Sequence, residues 1–245
     1  MSTLARGSTA LGNSAADDEV QLVRLEARLP PVLSVIAGMV DLTGFFTLGH
    51  IFTAHVTGNL VVVAAAAVHA GPFNLMQALA IPVFMLALAG VWLIAEFSHR
   101  RGPGLASLLL LVHFLLLAAL LVFSVITRPS LDPRGLMAGV AVIIAVSAMA
   151  CQYALLRLAM PRAVSTAVMT GNLTNTVLSL MDLLARRRPL LPVDAGRLKR
   201  SFHLLFGFLL GCVVAAYAVS AFGDWAWALP AALSGAAFTR YHPVA

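Results

Sequence analysis

Two tetrapeptides carry much of the polar chemistry in a largely apolar chain: Thr57-Gly58-Asn59-Leu60 and its copy, Thr170-Gly171-Asn172-Leu173. Thr or Asn can cap a helix N-terminus, and Gly allows close backbone approach or a strained dihedral. The unpaired N–H groups at such an end carry partial positive charge and suit an anion or a polar solute. If both ends meet at the membrane midplane, Asn59 and Asn172 face each other as donors and acceptors. The plainer alternative is packing: small residues let helices approach closely, and Thr and Asn hydrogen bonds hold them together.

Asp41 is the other residue to weigh. It lies deep in an apolar segment, where a carboxyl is costly unless protonated, paired or facing water, so it is a candidate proton or cation site. A carboxyl satisfied by Thr43, Thr47 or the motif itself is the alternative. Gln152 or Tyr153 is its neutral counterpart in the second half, and a proton relay needs only one acid. His50 and His55 flank a break in the apolar pattern and could line an entry path, though an interfacial His is more often simply solvated. His113 and His203 fall in other segments with no ligand spacing, so no metal site is expected. Arg157 and Arg162 bracket a second break beside Pro161, where they could draw anions towards Asn172 or snorkel to the interface. Asp182 and Glu96 lie near segment ends and suit headgroup contact. Cys151 and Cys212 each sit in an apolar run and read as small buried hydrophobes. There is no Gly-x-Ser-x-Gly, no His-Glu-x-x-His and no phosphate loop, so neither an enzyme nor a cofactor is expected.

These residues must be positioned by membrane segments. Of 245 residues, 60% are hydrophobic and 11% charged, against about a quarter charged in soluble proteins. Runs such as 104–126, 135–156 and 202–222 reach the roughly 20 residues that cross a bilayer. Continuous runs such as Leu108-Leu109-Leu110-Leu111 exclude an alternating outer-membrane barrel. The expected fold is therefore an all-α polytopic membrane protein with six to eight membrane helical segments. The net charge of +6 sits between the apolar runs, as the positive-inside bias places it, and does not indicate nucleic acid. The cations of the 185–200 loop, Arg186-Arg187-Arg188 among them, suit a topology anchor with anionic-lipid contact. No cleavable leader is expected, since the first apolar run begins only near Pro31.

The organisation reads as two repeats. Residues 1–30 form a disordered or interfacial tail, with a short helix over 17–29 ended by Pro30-Pro31. The first membrane repeat spans 31–126, a linker covers 127–135, the second repeat spans 136–238, and 239–245 is a C-terminal tail. Gly71-Pro72 marks a turn. The segment from Thr57 to His69 is only about 13 residues, or roughly 20 Å as a helix, which suits a half-helix returning from the midplane. Such broken or re-entrant motif segments give six crossings and an inverted repeat; eight crossings would give a parallel one. The segment 165–184 is long enough to cross, which speaks for eight. Cation bias places the N-terminus, the C-terminus and loop 185–200 in the cytoplasm under both schemes.

A family resemblance agrees with this plan. Ala37-Gly38-Met39-Val40-Asp41, Gly44-Phe45-Phe46-Thr47-Leu48-Gly49, Phe52 and Thr57-Gly58-Asn59 resemble the signature of the YoaK-like bacterial membrane proteins, an uncharacterised family. So do Gln152-Tyr153-Ala154-Leu155-Leu156-Arg157, Pro161, Val164-Ser165-Thr166 and Val168-Met169-Thr170-Gly171-Asn172-Leu173-Thr174. The resemblance implies six transmembrane segments and names no substrate. Tyr153 departs from it, standing where an amide is usual. The function expected is an inner-membrane transporter or channel for a small polar or anionic solute, bound near the Thr-Gly-Asn helix starts, with Asp41 proton-linked. A membrane scaffold or accessory subunit is the alternative. The lipid bilayer and the small polar or anionic solute are the expected partners, and a homo-oligomer is compatible with all of this.

Overall fold

The computed structural model describes residues 2–69, 74–166, 168–185 and 196–241. The regular elements among these residues are helical, without strands. They are α1 (Ser2–Thr47), α2 (Gly58–His69), α3 (Leu75–Phe97), α4 (Gly102–Thr127), α5 (Leu136–Ala159), α6 (Met169–Ala185), α7 (Arg197–Phe222) and α8 (Ala228–Tyr241), with short 3-10 turns at Pro129–Leu131 and Gly223–Trp227. Five helical stretches are long and apolar enough to cross a membrane, the last running from α7 into α8. The Gly71-Pro72 turn and the Arg186-Arg187-Arg188 cluster lie outside the described residues.

Two boundaries differ from expectation. Pro30 and Pro31 do not end the first helix, which runs through them to Thr47 and begins at Ser2, within the stretch expected as a tail. Each proline removes a backbone donor and leaves a carbonyl one turn back without its helical partner. Tertiary packing outweighs that loss here: Leu29 and Leu33 on either side are fully buried, and Ser34 Oγ donates to the Leu204 carbonyl at 2.5 Å. The second motif segment is also shorter than its apolar run. Residues 160–166 follow α5 without helical structure, and the 17 residues of α6 begin only at Met169.

α1 stops where Gly49 takes φ +78° and His50 N–H reaches back to the Phe45 carbonyl at 3.0 Å, a five-residue Schellman-type closure. Gly is needed there twice over, because a Cβ on Gly49 would lie 2.7 Å from the Pro133 carbonyl oxygen.

α1 packs along α7, α5 along α3 and along α4, and α4 also meets α8. Glycines bring the α1 and α7 backbones close together. A Cβ on Gly38 would collide with the Phe208 carbonyl and come within 3.0 Å of Cys212 N; one on Gly211 would collide with the Val35 carbonyl and come within 3.0 Å of Met39 N. Ser34 and Gly38 on α1 thus interlock with Gly207 and Gly211 on α7, a small-x-x-x-small pairing that brings two backbones together. The core follows these contacts, with Ile36, Val40, Leu109, Met149 and Trp227 fully buried.

Candidate functional site

Between α1 and α2 the chain turns back along α1. Asp41 stands six residues before the end of α1, so about 9 Å inside it. The loop descends to that level: Asp41 Oδ1 accepts from Thr53 N–H at 2.8 Å and Ala54 N–H at 2.9 Å, and Thr53 Oγ1 donates to the Val40 carbonyl at 3.2 Å. His55 Nδ1 lies 2.8 Å from Asp41 Oδ2. Tyr153 on α5 donates from its hydroxyl to the Ala54 carbonyl at 2.8 Å, tying the second half of the chain to this loop. α2 then leads away, and α3 starts beside the end of α1, where Asn74 Nδ2 donates to the Gly49 carbonyl at 3.4 Å and Gln77 Nε2 to the His50 carbonyl at 3.3 Å. The loop and α2 therefore leave and return at one end of α1.

The Thr-Gly-Asn motifs pin these loops. Asn59 is fully buried; its Oδ1 accepts from Phe52 N–H at 3.0 Å and its Nδ2 donates to the Phe52 carbonyl at 2.8 Å. Asn172 Nδ2 donates to the Ser165 carbonyl at 3.0 Å, at the same seven-residue spacing. An Asn side chain presents one acceptor and one donor group, so Asn59 clamps a single residue through both. The two amides serve their own loops and not each other, and the helix pairing is α2 with α3 and α6 with α7. Thr57 and Thr170 are exposed; Gly58 packs with a hypothetical Cβ 3.1 Å from the Phe52 ring, and Gly171 is half-buried. Asn59→Ala leaves Phe52 N–H and its carbonyl without this partner, at about 1–3 kcal/mol for each buried group left unpaired. A fall in the thermal midpoint of the purified variant, larger than that of an exposed-site control such as Thr57→Ala, is the expected measurement.

Gln152 on α5 holds the loop that follows that helix. It is fully buried, seven residues before the end of α5, and its Nε2 donates to the Leu33 carbonyl at 3.0 Å and to Thr166 Oγ1 at 3.4 Å. Thr166, like Thr53, is fully buried. Gln152 and Asp41 thus anchor separate loops. Arg162 N–H donates to Glu26 Oε1 at 3.1 Å, while the Arg157 side chain is exposed. His50 is exposed, with its ring edge-on to Phe45; His113 is fully buried against Ser234 on α8, at 2.9 Å. No cluster of His, Cys, Asp and Glu suited to a metal occurs among the described residues.

Asp41 and His55 open onto a cavity of about 360 Å³ between α1 and α7, walled by Phe45, Phe52, Phe208 and Cys212. The His55 ring is edge-on to Phe208 at a centroid distance of 5.0 Å, and Phe45 and Phe52 lie 5.3 Å apart. Asp41 is 5% exposed and the His55 side chain 30%, so the imidazole stands nearer the cavity mouth. A cavity of similar size, about 370 Å³, lies beside the middle of α1 among Glu26, Pro30, Val164, Lys199, Arg200 and His203. It adjoins neither motif nor any deep ionisable group, so the α1–α7 cavity is the candidate site. Phe208 and the paired glycines escaped the sequence reading, in which Cys212 is only a small buried hydrophobe; the Gly207-x-x-x-Gly211 spacing was the available signal for the helix contact.

Long apolar helices, two loops that fold back on the helices preceding them and a buried carboxylate facing a cavity define a multi-pass helical protein of membrane type. The chain belongs to the family described as "Protein of unknown function (DUF1275)", whose model matches residues 29–239. No curated protein and no solved structure matches the chain.

Proposed function

We propose that this protein is a membrane transporter or channel whose solute site is the cavity between α1 and α7, with Asp41 as its charged centre. The observation that carries this reading is the Asp41–His55 pair, held about 9 Å inside α1 and facing space that a small molecule can enter. A charge at such depth is costly, and it falls on solute or proton pathways more often than elsewhere.

The architecture supports six crossings, with α2 and α6 as re-entrant half-helices. Each follows a loop anchored to the helix before it, through Asp41 in one case and Gln152 in the other. At 17 residues α6 is at the short end of what crosses a membrane, which weakens the argument for its crossing. Six crossings make the halves an inverted repeat, and the packing suits that plan, since the first helix of each half lies along the third helix of the other. The termini and the 185–200 loop then share the cytoplasmic side of an inner membrane.

The scaffold reading keeps one observation in its favour: the Asn59 and Asn172 amides are committed to loop carbonyls. On the transport reading they shape the loops and do not touch solute, so the site moves from the helix starts to Asp41. The test uses proteoliposomes loaded with glycerol, neutral amino acids, small carboxylates and small amines, with efflux followed by mass spectrometry. At least one solute is expected to leave faster through the native protein than through Asp41→Asn. Equal efflux of every solute from both would support the scaffold.

A further inference from the structure

We propose that the α1–α7 cavity takes a protonated organic amine, with Asp41 as its counter-ion and the rings of Phe45, Phe52 and Phe208 around its apolar body. The inference rests on reading this cavity as the solute site and adds the class of solute.

Charge comes first. Among the described residues, Asp41 is the only carboxylate lining the cavity, and no Lys or Arg lines it. An anion entering there would meet like charge at close range in a poorly screening medium, whereas a cation would meet a fixed partner. With a proton on Nδ1 and a neutral ring, His55 donates to Asp41 Oδ2 and leaves the net negative charge in place. Each carboxylate oxygen offers two acceptor positions. Oδ1 uses its two on Thr53 and Ala54, and Oδ2 uses one on His55, so one position on Oδ2 remains for an incoming N–H.

The walls then select among cations. A hard metal ion needs about six oxygen ligands, and this cavity supplies rings and a thiol around a single carboxylate. An ammonium group needs fewer partners, and aromatic faces attract it. Three Phe side chains also welcome an apolar body, which a small inorganic cation lacks. The volume of about 360 Å³ lies at the small end of the range of small-molecule sites, about 300–1,000 Å³.

The probes are phenethylamine, which is protonated at neutral pH, its neutral analogue phenethyl alcohol and the anion hydrocinnamate, all titrated into the purified full chain by calorimetry. The amine is expected to bind about tenfold or more tightly than the alcohol, as a charge-assisted hydrogen bond requires. Hydrocinnamate is expected to bind least. Asp41→Asn keeps an oxygen for Thr53 and Ala54, so it should fold; its expected effect is loss of the amine's advantage with alcohol binding unchanged. Phe208→Leu, which removes none of the loop's hydrogen-bonding groups, is expected to weaken the amine severalfold. Equal affinity for the amine in the native protein and Asp41→Asn would overturn the proposal, as would hydrocinnamate binding as tightly as the amine. Asp41-dependent efflux of a carboxylate or of glycerol, without amine binding, would overturn this inference while leaving the transport reading intact.

Discussion

Gly211→Ala is expected to destabilise the protein by about 1–3 kcal/mol or more, as overpacking a close contact does, and to lower its thermal midpoint in detergent. The new methyl would collide with the Val35 carbonyl and sit 3.0 Å from Met39 N, so backbone has to move rather than a flexible side-chain end. Gly38→Ala should behave alike, because its methyl meets Phe208 and Cys212 across the same seam. Both substitutions demand one and the same separation of α1 from α7. The double variant should therefore lose less than the sum of the two single losses. Gly90→Ala is the control: nothing lies within 4 Å of its hypothetical Cβ, and replacing a helical Gly by Ala gains about 0.5–1 kcal/mol of helix propensity. A Gly211→Ala protein as stable as the native one would show that the α1–α7 seam is not closed in this way. Separation of α1 from α7 also widens the cavity, so the same variant should weaken solute binding even where it folds.

The second large effect concerns Asp41, where two substitutions should part company. Asp41→Leu leaves Thr53 N–H and Ala54 N–H without their acceptor at a buried position and strips His55 of its partner. At about 1–3 kcal/mol for each orphaned N–H, the loop anchor should be lost and the protein markedly destabilised. Asp41→Asn retains an amide oxygen for both N–H groups, and its NH₂ can donate to a His55 ring protonated on the other nitrogen. It should remain near native stability while losing the charge. Thermal midpoints ordered native, Asn, Leu would establish the Asp41 side chain as the anchor of the loop. If Leu were as stable as Asn, the two backbone hydrogen bonds would not be what holds the loop. The Asn variant is thus the one to carry into flux and binding measurements.

Much of this protein could be read in one dimension. The long apolar runs, the breaks after Thr47 and Ala159 and the short motif helix α2 all lie close to where length and composition place them, because lipid demands long, internally hydrogen-bonded apolar helices. The repeated Thr-Gly-Asn also marked two loops to which the motif amide reaches back seven residues, Asn59 to Phe52 and Asn172 to Ser165. The use of those amides was not legible. A buried Asn at a helix start can face a solute or its own loop with the same local sequence, and the choice depends on where the chain seven residues earlier comes to lie.

Pro30-Pro31 shows a similar division. Local rules end a helix there, and only the packing of Leu29, Leu33 and Ser34 against the rest of the bundle carries α1 through. Sequence alone determined that this chain is a membrane-type helical protein with a costly acid at depth, since apolar length and an intramembrane charge are local properties. Tertiary structure alone decided that Asp41 faces Phe208 and Cys212. Those residues come from a helix more than a hundred positions away, brought in by glycines whose complementarity exists only once α1 and α7 have met.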